Sequence, residues 1–264
     1  MAIVTLTTDF GLSDTYIAQM KGVILGIAPS AVIVDVTHMI EPHDVLGAAL
    51  ALDAAADAFP PGAIHVAVVD PGVGSDRRAL AIATDRERLV GPDNGIFTAL
   101  LAHRTIVDAV AIADQAFLAH PTSHTFHGRD VFAPAAAHLA CGAPLRQLGE
   151  PAGRLVELAL PHARIDPDAI EAHIIHVDRF GNLVTDLRHD DLARWLGQTS
   201  DRSIRIEVGE ETLAGLCKTY ADAPTGAALA YVGSSGRLEI AVNTGDAARA
   251  LSLGRGAAVR ILRG

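Results

Sequence analysis

The stretch Ala63-Ile64-His65-Val66-Ala67-Val68-Val69-Asp70-Pro71-Gly72-Val73-Gly74, with Arg77 close behind, decides how this chain is read. An apolar run of strand character delivers a carboxylate straight into a tight glycine turn, and a guanidinium follows seven residues after it. In open α/β sheets ligands bind beyond the carboxyl ends of the strands, so position alone makes Asp70 a site candidate. The competing reading is an aspartate that bonds the backbone two residues on and starts its own turn. The same grammar occurs at the N-terminus, where Ile3 to Thr8 reads as a strand and Asp9-Phe10-Gly11 follows at once. Parallel strands all end on one side, so Asp9 and Asp70 are expected at a common sheet edge. Asp9-Phe10-Gly11 also matches the metal-binding triplet of protein kinases, but no strand lysine, Gly-rich loop or His-Arg-Asp loop accompanies it.

Working outward, the first 150 residues alternate strand-like runs with alanine-rich helical patterns, which predicts an α/β fold built on a mostly parallel sheet. The strands are expected at 3–8, 31–36, 63–69, 79–84 and 105–112, and helices at 14–27 and 44–58. Ser13 or Asp14 is read as the first N-cap, and Pro29 as the stop. A further helix is expected from Asp130 or Val131 to Ala140, with Pro134 in its first turn. Prolines, glycines and scattered charges replace this alternation over 151–168, read as a linker. From 169 to 264 short strands dominate, at 169–177, 183–187, 204–208, 227–232, 238–242 and 257–262, with one short helix at 190–196. Their spacing suggests a small β-barrel or β-sandwich. Trp195 is read as a packing residue, Asp93-Asn94-Gly95 as a hairpin turn, and Tyr220 and Tyr231 as packing or nucleobase-bordering side chains.

Composition limits the function. Half of the 264 residues are hydrophobic, enough for one large core or two modest ones. A net charge of −10 and the lack of any basic run exclude a phosphate-tracking nucleic-acid binder. The two cysteines, Cys141 and Cys217, lie far apart and predict neither a disulfide framework nor a thiolate zinc site. No basic leader precedes an apolar core and no long apolar run lacks charge, so a soluble cytoplasmic protein is expected.

Several chemistries fail on spacing. Gly72-Val73-Gly74 lacks the third glycine of a dinucleotide fingerprint, no Gly-Lys-Ser/Thr follows for a P-loop, and there is no Gly-x-Ser-x-Gly elbow. Among twelve histidines, His38, His43, His124, His127 and His138 are the ones a metal site would recruit with Asp9 and Asp70, but none has ligand spacing, and no metal is expected. More specific is Thr125-Phe126-His127-Gly128-Arg129-Asp130, which joins a loop to a helix start.

Taken in order, Thr7-Thr8-Asp9-Phe10-Gly11, Val68 to Gly74 with Arg77-Arg78, Gly91-Pro92-Asp93-Asn94-Gly95, Thr125 to Asp130 and Arg179-Phe180-Gly181-Asn182 resemble the SAM hydroxide adenosyltransferases, relatives of the bacterial fluorinase and chlorinase. The resemblance covers nearly the whole chain. It implies an N-terminal α/β domain, a C-terminal β-barrel, and a homotrimer holding its substrate between neighbouring subunits. The implied reaction is hydrolysis of S-adenosyl-L-methionine (SAM) at ribose C5′ to adenosine and L-methionine, with SAM as substrate and no separate cofactor. By motif, Asp70, Arg77 and His127 match the residues that hold and activate water, and Asp9 matches the carboxylate gripping the ribose hydroxyls. Asp14 and Asp178 match acidic residues near the methionine amine, and Asn182 matches an adenine contact. Ser234 and Ser235 fall where the methionine carboxylate binds, and Gly128 is a further substrate-side position. Two of these residues also have plain structural readings, Asp14 as a helix cap and Asn182 as a turn residue.

Departures from the halogenases point the same way. Those enzymes carry a tyrosine around Asp70, a halide-holding serine at Gly128, and an extra loop that this chain lacks between Ala79 and Val90. A carboxylate facing the nucleophile repels halide, so water is the expected attacker. The sequence leaves the proton acceptor open between Asp70 and His127, and Asp70 serves equally as an orienter of Arg77. A SAM- or adenosine-binding protein without turnover and a SAM-dependent halogenase are the competing readings.

Overall fold

The computed structural model describes residues 1–119, 121–197 and 203–263, which divide into two compact units, Met1–Leu160 and Pro161–Gly264. The boundary lies inside the 151–168 stretch read as a linker. The residues just before the boundary are tied into the first unit, where the Val156 N–H donates to Asp93 Oδ1 at 2.9 Å and the Leu158 N–H to Thr98 Oγ1 at 3.0 Å.

The first unit is a seven-stranded sheet. Its strands are β1 (Ile3–Thr8), β2 (Val32–Thr37), β3 (Ile64–Val68), β4 (Ala79–Thr84), β5 (Arg88–Pro92), β6 (Ile106–Ile112) and β7 (Gly149–Pro151), in the order β2-β1-β3-β5-β4-β6-β7. The β2-β1-β3-β5 half is parallel, and the remaining neighbours pair antiparallel. Alternation along these strands divides the core between two faces. On one face Leu6, Val66 and Val68 pack with Ile17, Met20 and Ile24 of α1 (Tyr16–Ile27) and with the alanines of α4 (Ala133–Ala140). On the other, Val69, Leu80 and Ile82 pack with Ala48 and Leu52 of α2 (Val45–Ala56) and Leu100 of α3 (Thr98–Leu101). Alanine suits both helices, since it costs least to wind and lets a helix lie close to the sheet.

Three local expectations need correction. The first helix starts at Tyr16 with Thr15 at the cap position and no side-chain cap, so neither Ser13 nor Asp14 caps it. The helix expected from residue 130 opens instead as a π-turn over Gly128–Phe132, where the Ala133 N–H reaches back to the Gly128 carbonyl, and becomes α-helical only from Ala133. Asp93-Asn94-Gly95 is no hairpin turn. It joins β5 to α3, and β5 itself was missed because Gly91-Pro92 reads as a breaker. At Gly91 an added Cβ would run into the Ala67 carbonyl of β3, so the strand needs glycine to lie against its neighbour.

Apart from one isolated parallel bridge that joins Cys217 to Tyr231 of the strand region 228–232, the named strands all pair antiparallel in the second unit. Its strands are β8 (Arg164–Ile165), β9 (Ala169–Val177), β10 (Leu183–Arg188), β11 (Ile204–Val208), β12 (Glu211–Ala214), β13 (Ala228–Val232), β14 (Arg237–Val242) and β15 (Ala258–Arg263). They follow the order β12-β11-β15-β9-β10-β14-β13, with β8 added beside β9. The end strands β12 and β13 approach each other, so the sheet is a nearly closed barrel. Ile170, Ala172 and Ile174 of β9 alternate into its core, where α5 (His189–Leu196) adds Leu192, Trp195 and Leu196. Trp195 packs as expected and donates its indole N–H to the Asp166 carbonyl at 2.8 Å. A last helix, α6 (Ala247–Leu251), is capped by Asp246, whose carboxylate accepts from the Arg249 N–H.

Candidate active site

Strands β1 and β3 are hydrogen-bonded neighbours with Thr8 paired to Val68, so Asp9 and Asp70 emerge at adjacent strand ends. Beyond β3 the chain turns through Pro71 to Ser75, stabilised by the Ser75 hydroxyl donating to the Gly72 carbonyl at 2.7 Å. Gly74 sits at φ +78°, and an added Cβ would meet the His124 carbonyl oxygen at 2.5 Å. Only glycine permits that close approach. It lays the turn after β3 against the loop that carries His127.

Asp70, Arg77 and His127 converge there. Arg77 Nε donates to both carboxylate oxygens of Asp70, at 3.0 and 3.1 Å, and Nη2 donates to Oδ2 as well. Nη2 also reaches His127 Nδ1 at 2.7 Å. The guanidinium carries no acceptor, so Nδ1 must accept, and the neutral ring then holds its proton on Nε2. Phe132 backs the guanidinium, its ring centroid 5.3 Å from Cζ. The Arg77 and Asp70 side chains are only 10% and 7% exposed, so the pair works in a setting where charges interact more strongly than in water. Burial, then the Arg77 guanidinium, holds the His127 imidazole below the ordinary histidine range. Arg77 Nη1 keeps its N–H groups without a protein acceptor among the described residues.

The loop before the π-turn is held by Asp130. Its carboxylate accepts from the Ser123 N–H at 2.8 Å and takes a two-point grip from Arg129, at 2.6 and 2.9 Å. Burial acts to raise the Asp130 carboxyl, but the Arg129 and Ser123 hydrogen bonds outweigh it and the net effect is a lowering. Arg129 also bonds Gln19 of α1 and lies over the Phe126 ring, fixing the backbone on both sides of His127. Gly128 is buried, and a Cβ there would come within 3.1 Å of Phe10 and Phe126 and 3.2 Å of the Met20 sulfur.

Among the described residues, Asp9 and Asp14 form no hydrogen bond with this trio. Asp9 Oδ2 accepts from the His43 N–H at 2.9 Å, which steadies one carboxylate oxygen. Asp14 is exposed, and among the described residues only the Ser13 hydroxyl is within reach, at 3.5 Å. The motif around Asp93 is structural. Asp93 pairs with Arg78, and Asn94 donates to the Val69 carbonyl at 2.8 Å, bracing the strand end that presents Asp70. His38 bonds Thr8, His138 packs edge-on to Phe117, and no group of three His, Cys, Asp or Glu suited to a metal ion occurs among the described residues.

In the second unit Asp178 and Asn182 share one turn. Asp178 Oδ1 accepts from the Phe180 and Asn182 N–H groups, and Oδ2 accepts from Asn182 Nδ2, each at 2.8 Å. Asn182 Nδ2 also reaches the Tyr220 hydroxyl at 3.2 Å, which touches the Tyr231 hydroxyl at 2.7 Å. Tyr231 donates to Glu239 Oε2 at 2.5 Å, and Ser235 donates to Glu239 Oε1 at 3.0 Å. Burial and the Glu239 bond hold the Tyr231 phenol well above its usual range. Asn182 and Ser235 are therefore joined through three side chains, of which sequence reasoning had missed Glu239 altogether. Ser234 lies in the turn after β13, exposed like Ser235.

Comparison with known proteins covers both units. Residues 4–149 match the SAM hydroxide adenosyltransferase N-terminal domain and residues 172–260 the corresponding C-terminal domain. The chain is 41% identical over 267 residues to a protein from Salinispora arenicola named (R)-S-adenosyl-L-methionine hydrolase, spanning 99% of this chain and 98% of that one. A fluorinase from Nocardia brasiliensis is more distant, at 28% over 98% and 96% of the two chains. Among solved structures, an uncharacterized conserved protein from Thermotoga maritima superposes with a TM-score of 0.92 at 35% identity, covering 100% of both chains.

Proposed function

This chain belongs to the SAM hydroxide adenosyltransferase family, and we infer that it hydrolyses S-adenosyl-L-methionine to adenosine and L-methionine, with Asp70, Arg77 and His127 managing the attacking water. The observation that carries the assignment of these three is the Arg77 guanidinium. It is gripped by Asp70, bonded to the unprotonated Nδ1 of His127, and keeps Nη1 free for an oxygen ligand.

Attack at C5′ forms a C–O bond while the C–S bond breaks, and the bonding pair moves to sulfur, which leaves as a neutral thioether. Electron density drains from the water oxygen as the new bond forms, so its protons become strongly acidic. A weak base then suffices. Asp70 Oδ1, which among the described residues accepts only from Arg77 Nε, is placed to take that proton, and Arg77 supplies the charge-assisted donors that hold the oxygen. His127 offers Nε2–H as a second donor. The sulfonium loses its charge in the same step, so a dry pocket favours the transition state over its separated charges. Asp9 is assigned to the ribose hydroxyls, Asp14 and Asp178 to the methionine ammonium, Asn182 to adenine, and Ser234 and Ser235 to the amino-acid end. Grip at both ends aligns water, C5′ and sulfur, which can supply several kcal/mol of barrier reduction, out of an upper range of about 7–11.

The halogenase reading is disfavoured by Gly128, which offers no hydroxyl to a halide at the position where the halogenases carry a serine. Incubation with SAM in heavy-oxygen water tests the reading directly. Label is expected in the adenosine 5′-hydroxyl. Unlabelled adenosine, or tight binding with no product, would sink it.

The homotrimer, with sites formed between subunits, is part of the same proposal. It is supported by exposed Leu12, Met39 and Val73, 72%, 69% and 36% accessible, on the loops that flank Asp9 and Asp70. Sedimentation at the mass of a single 27.5 kDa chain would rule it out. No helix among the described residues is long and apolar enough to cross a membrane, and a cytoplasmic location is proposed on the cysteine usage.

Protonation of His127 would point an N–H at the Arg77 guanidinium and break their bond. Because burial and Arg77 lower its pKa, kcat/KM is expected to stay level from neutrality down through the ordinary histidine range and fall only below it. An acid limb centred at or above that range would contradict this arrangement.

A further inference from the structure

Residues 38–44 carry the chain from β2 to α2 and pass beside the turn that holds Asp9. Both ends of this loop are fixed. At its start His38 Nδ1 lies 2.9 Å from the Thr8 hydroxyl, and the His38 carbonyl accepts from the Gly11 N–H at 2.8 Å. At its end the Asp44 carboxylate caps α2, accepting from the Gly47 N–H at 2.9 Å. Between these anchors Glu41-Pro42-His43-Asp44 closes a β-turn, in which the Asp44 N–H donates to the Glu41 carbonyl at 3.0 Å.

The proline ring holds φ of Pro42 near about −65°. His43 follows at φ +69°. A negative φ and then a positive one is the signature of a type II turn, whose third position normally takes glycine. For a residue with a side chain the left-handed conformation costs roughly five- to thirtyfold in an equilibrium. The His43 side chain is exposed, so packing does not account for the strain.

What the strain secures is the direction of one N–H. Type I and type II turns differ by turning over the central peptide, here Pro42–His43, by roughly 150–170°. In the type II form the His43 N–H meets Asp9 Oδ2 at 2.9 Å, and among the described residues this is the only hydrogen bond to that carboxylate. In the type I form the Pro42 carbonyl would face Asp9 instead, setting an acceptor against an anion. A hydrogen bond to a charged acceptor is roughly twice as strong as a neutral one, and here it offsets the strained backbone. Strain held at a single residue beside a candidate site is a pointer to function.

We propose that His43 is a positioning residue, whose backbone N–H, held in a type II turn against the preference of its own side chain, fixes the Asp9 carboxylate so that Oδ1 accepts from the vicinal hydroxyls of a ribose. The inference deepens the SAM reading and rests on its assignment of Asp9 to those hydroxyls. Residues at position 43 then rank by their tolerance of positive φ. Size and charge do not set the order.

The test compares binding of adenosine and 2′,3′-dideoxyadenosine, which lacks both hydroxyls, to the full-length protein by calorimetry. The wild type is expected to bind adenosine at least about tenfold more tightly, because hydrogen bonds to a charged acceptor are the strong ones. His43→Gly and His43→Asn accept a positive φ and should keep that ratio. His43→Val, whose branched Cβ opposes a positive φ, should lower it at least about fivefold. His43→Pro has no N–H to give and cannot reach a positive φ, so it should bring the ratio to within about threefold of unity.

An unchanged ratio in His43→Val and His43→Pro proteins that melt like the wild type overturns the proposal. A ratio in His43→Gly that falls as far as in His43→Val also overturns it, since the imidazole itself would then be the contact. Should His43→Pro not fold, His43→Val against His43→Gly decides. A wild type without the preference removes Asp9 from the ribose and this inference with it. Because the readout is nucleoside binding, it stands apart from the labelling experiment. SAM hydrolysis with an unmoved ratio sinks this inference alone, and a moved ratio without hydrolysis sinks only the reaction.

Discussion

Asp70→Ala lowers kcat about a thousandfold, roughly 4 kcal/mol of transition-state stabilisation, while the KM for SAM changes by no more than about threefold. The carboxylate is the anchor of Arg77, receiving Nε on both oxygens and Nη2 on one. Without it the guanidinium is left without its counter-ion in a site where it is only 10% exposed, and it swings toward water or the His127 ring. Breaking such a pair from one side typically costs about 3–5 kcal/mol of stability, so a lower melting temperature should accompany the loss of turnover. Steady-state kinetics beside calorimetric binding of SAM separate the two effects. Turnover within tenfold of wild type, with substrate bound normally, would remove Asp70 from the mechanism.

Arg77→Lys is expected to cost a further hundredfold or more relative to any model in which only a positive charge is needed. An ammonium is a point charge, whereas the planar guanidinium here meets Asp70 with two nitrogens, extends Nη2 to His127 Nδ1, and leaves Nη1 for the nucleophile. Lysine can satisfy one of those directions at a time. Single-turnover rates with saturating SAM should fall by roughly 10²- to 10³-fold with affinity retained, the range seen when one preorganised oxyanion donor is lost. A lysine variant with a near-normal rate would mean that the fork geometry has no part in catalysis.

How far the residues alone led is clearest at the strands. Ile3–Thr8, Ala79–Thr84, Ala169–Val177 and Ile204–Val208 fall where the apolar runs place them, since a strand buried on both faces or alternating into a barrel writes its pattern directly into sequence. The four residues of α3 and the five of α6 are too short for a helical period, so nothing local announces them. Of the candidate site, Asp70 and Arg77 were legible from strand-end position and spacing. His127 was legible only through its loop-to-helix motif, because its contact with Arg77 spans 50 residues. Asp14 looked like a cap because serine and aspartate favour that position, but the helix begins later. Glu239 stayed invisible. In Leu238-Glu239-Ile240 it alternates like any solvent-facing strand residue, and only the fold brings Tyr220, Tyr231 and Ser235 around it.

The π-turn over Gly128–Phe132 carries one residue more than an α-helical turn would hold. Removing a single residue from it would let the chain wind as regular helix, but everything upstream would rotate by about 100° about the axis. The imidazole would then leave the guanidinium while α4 kept its place in the core. Length is thus as constrained here as chemistry: in descendants that retain the activity, insertions and deletions should avoid the few residues between His127 and Ala133.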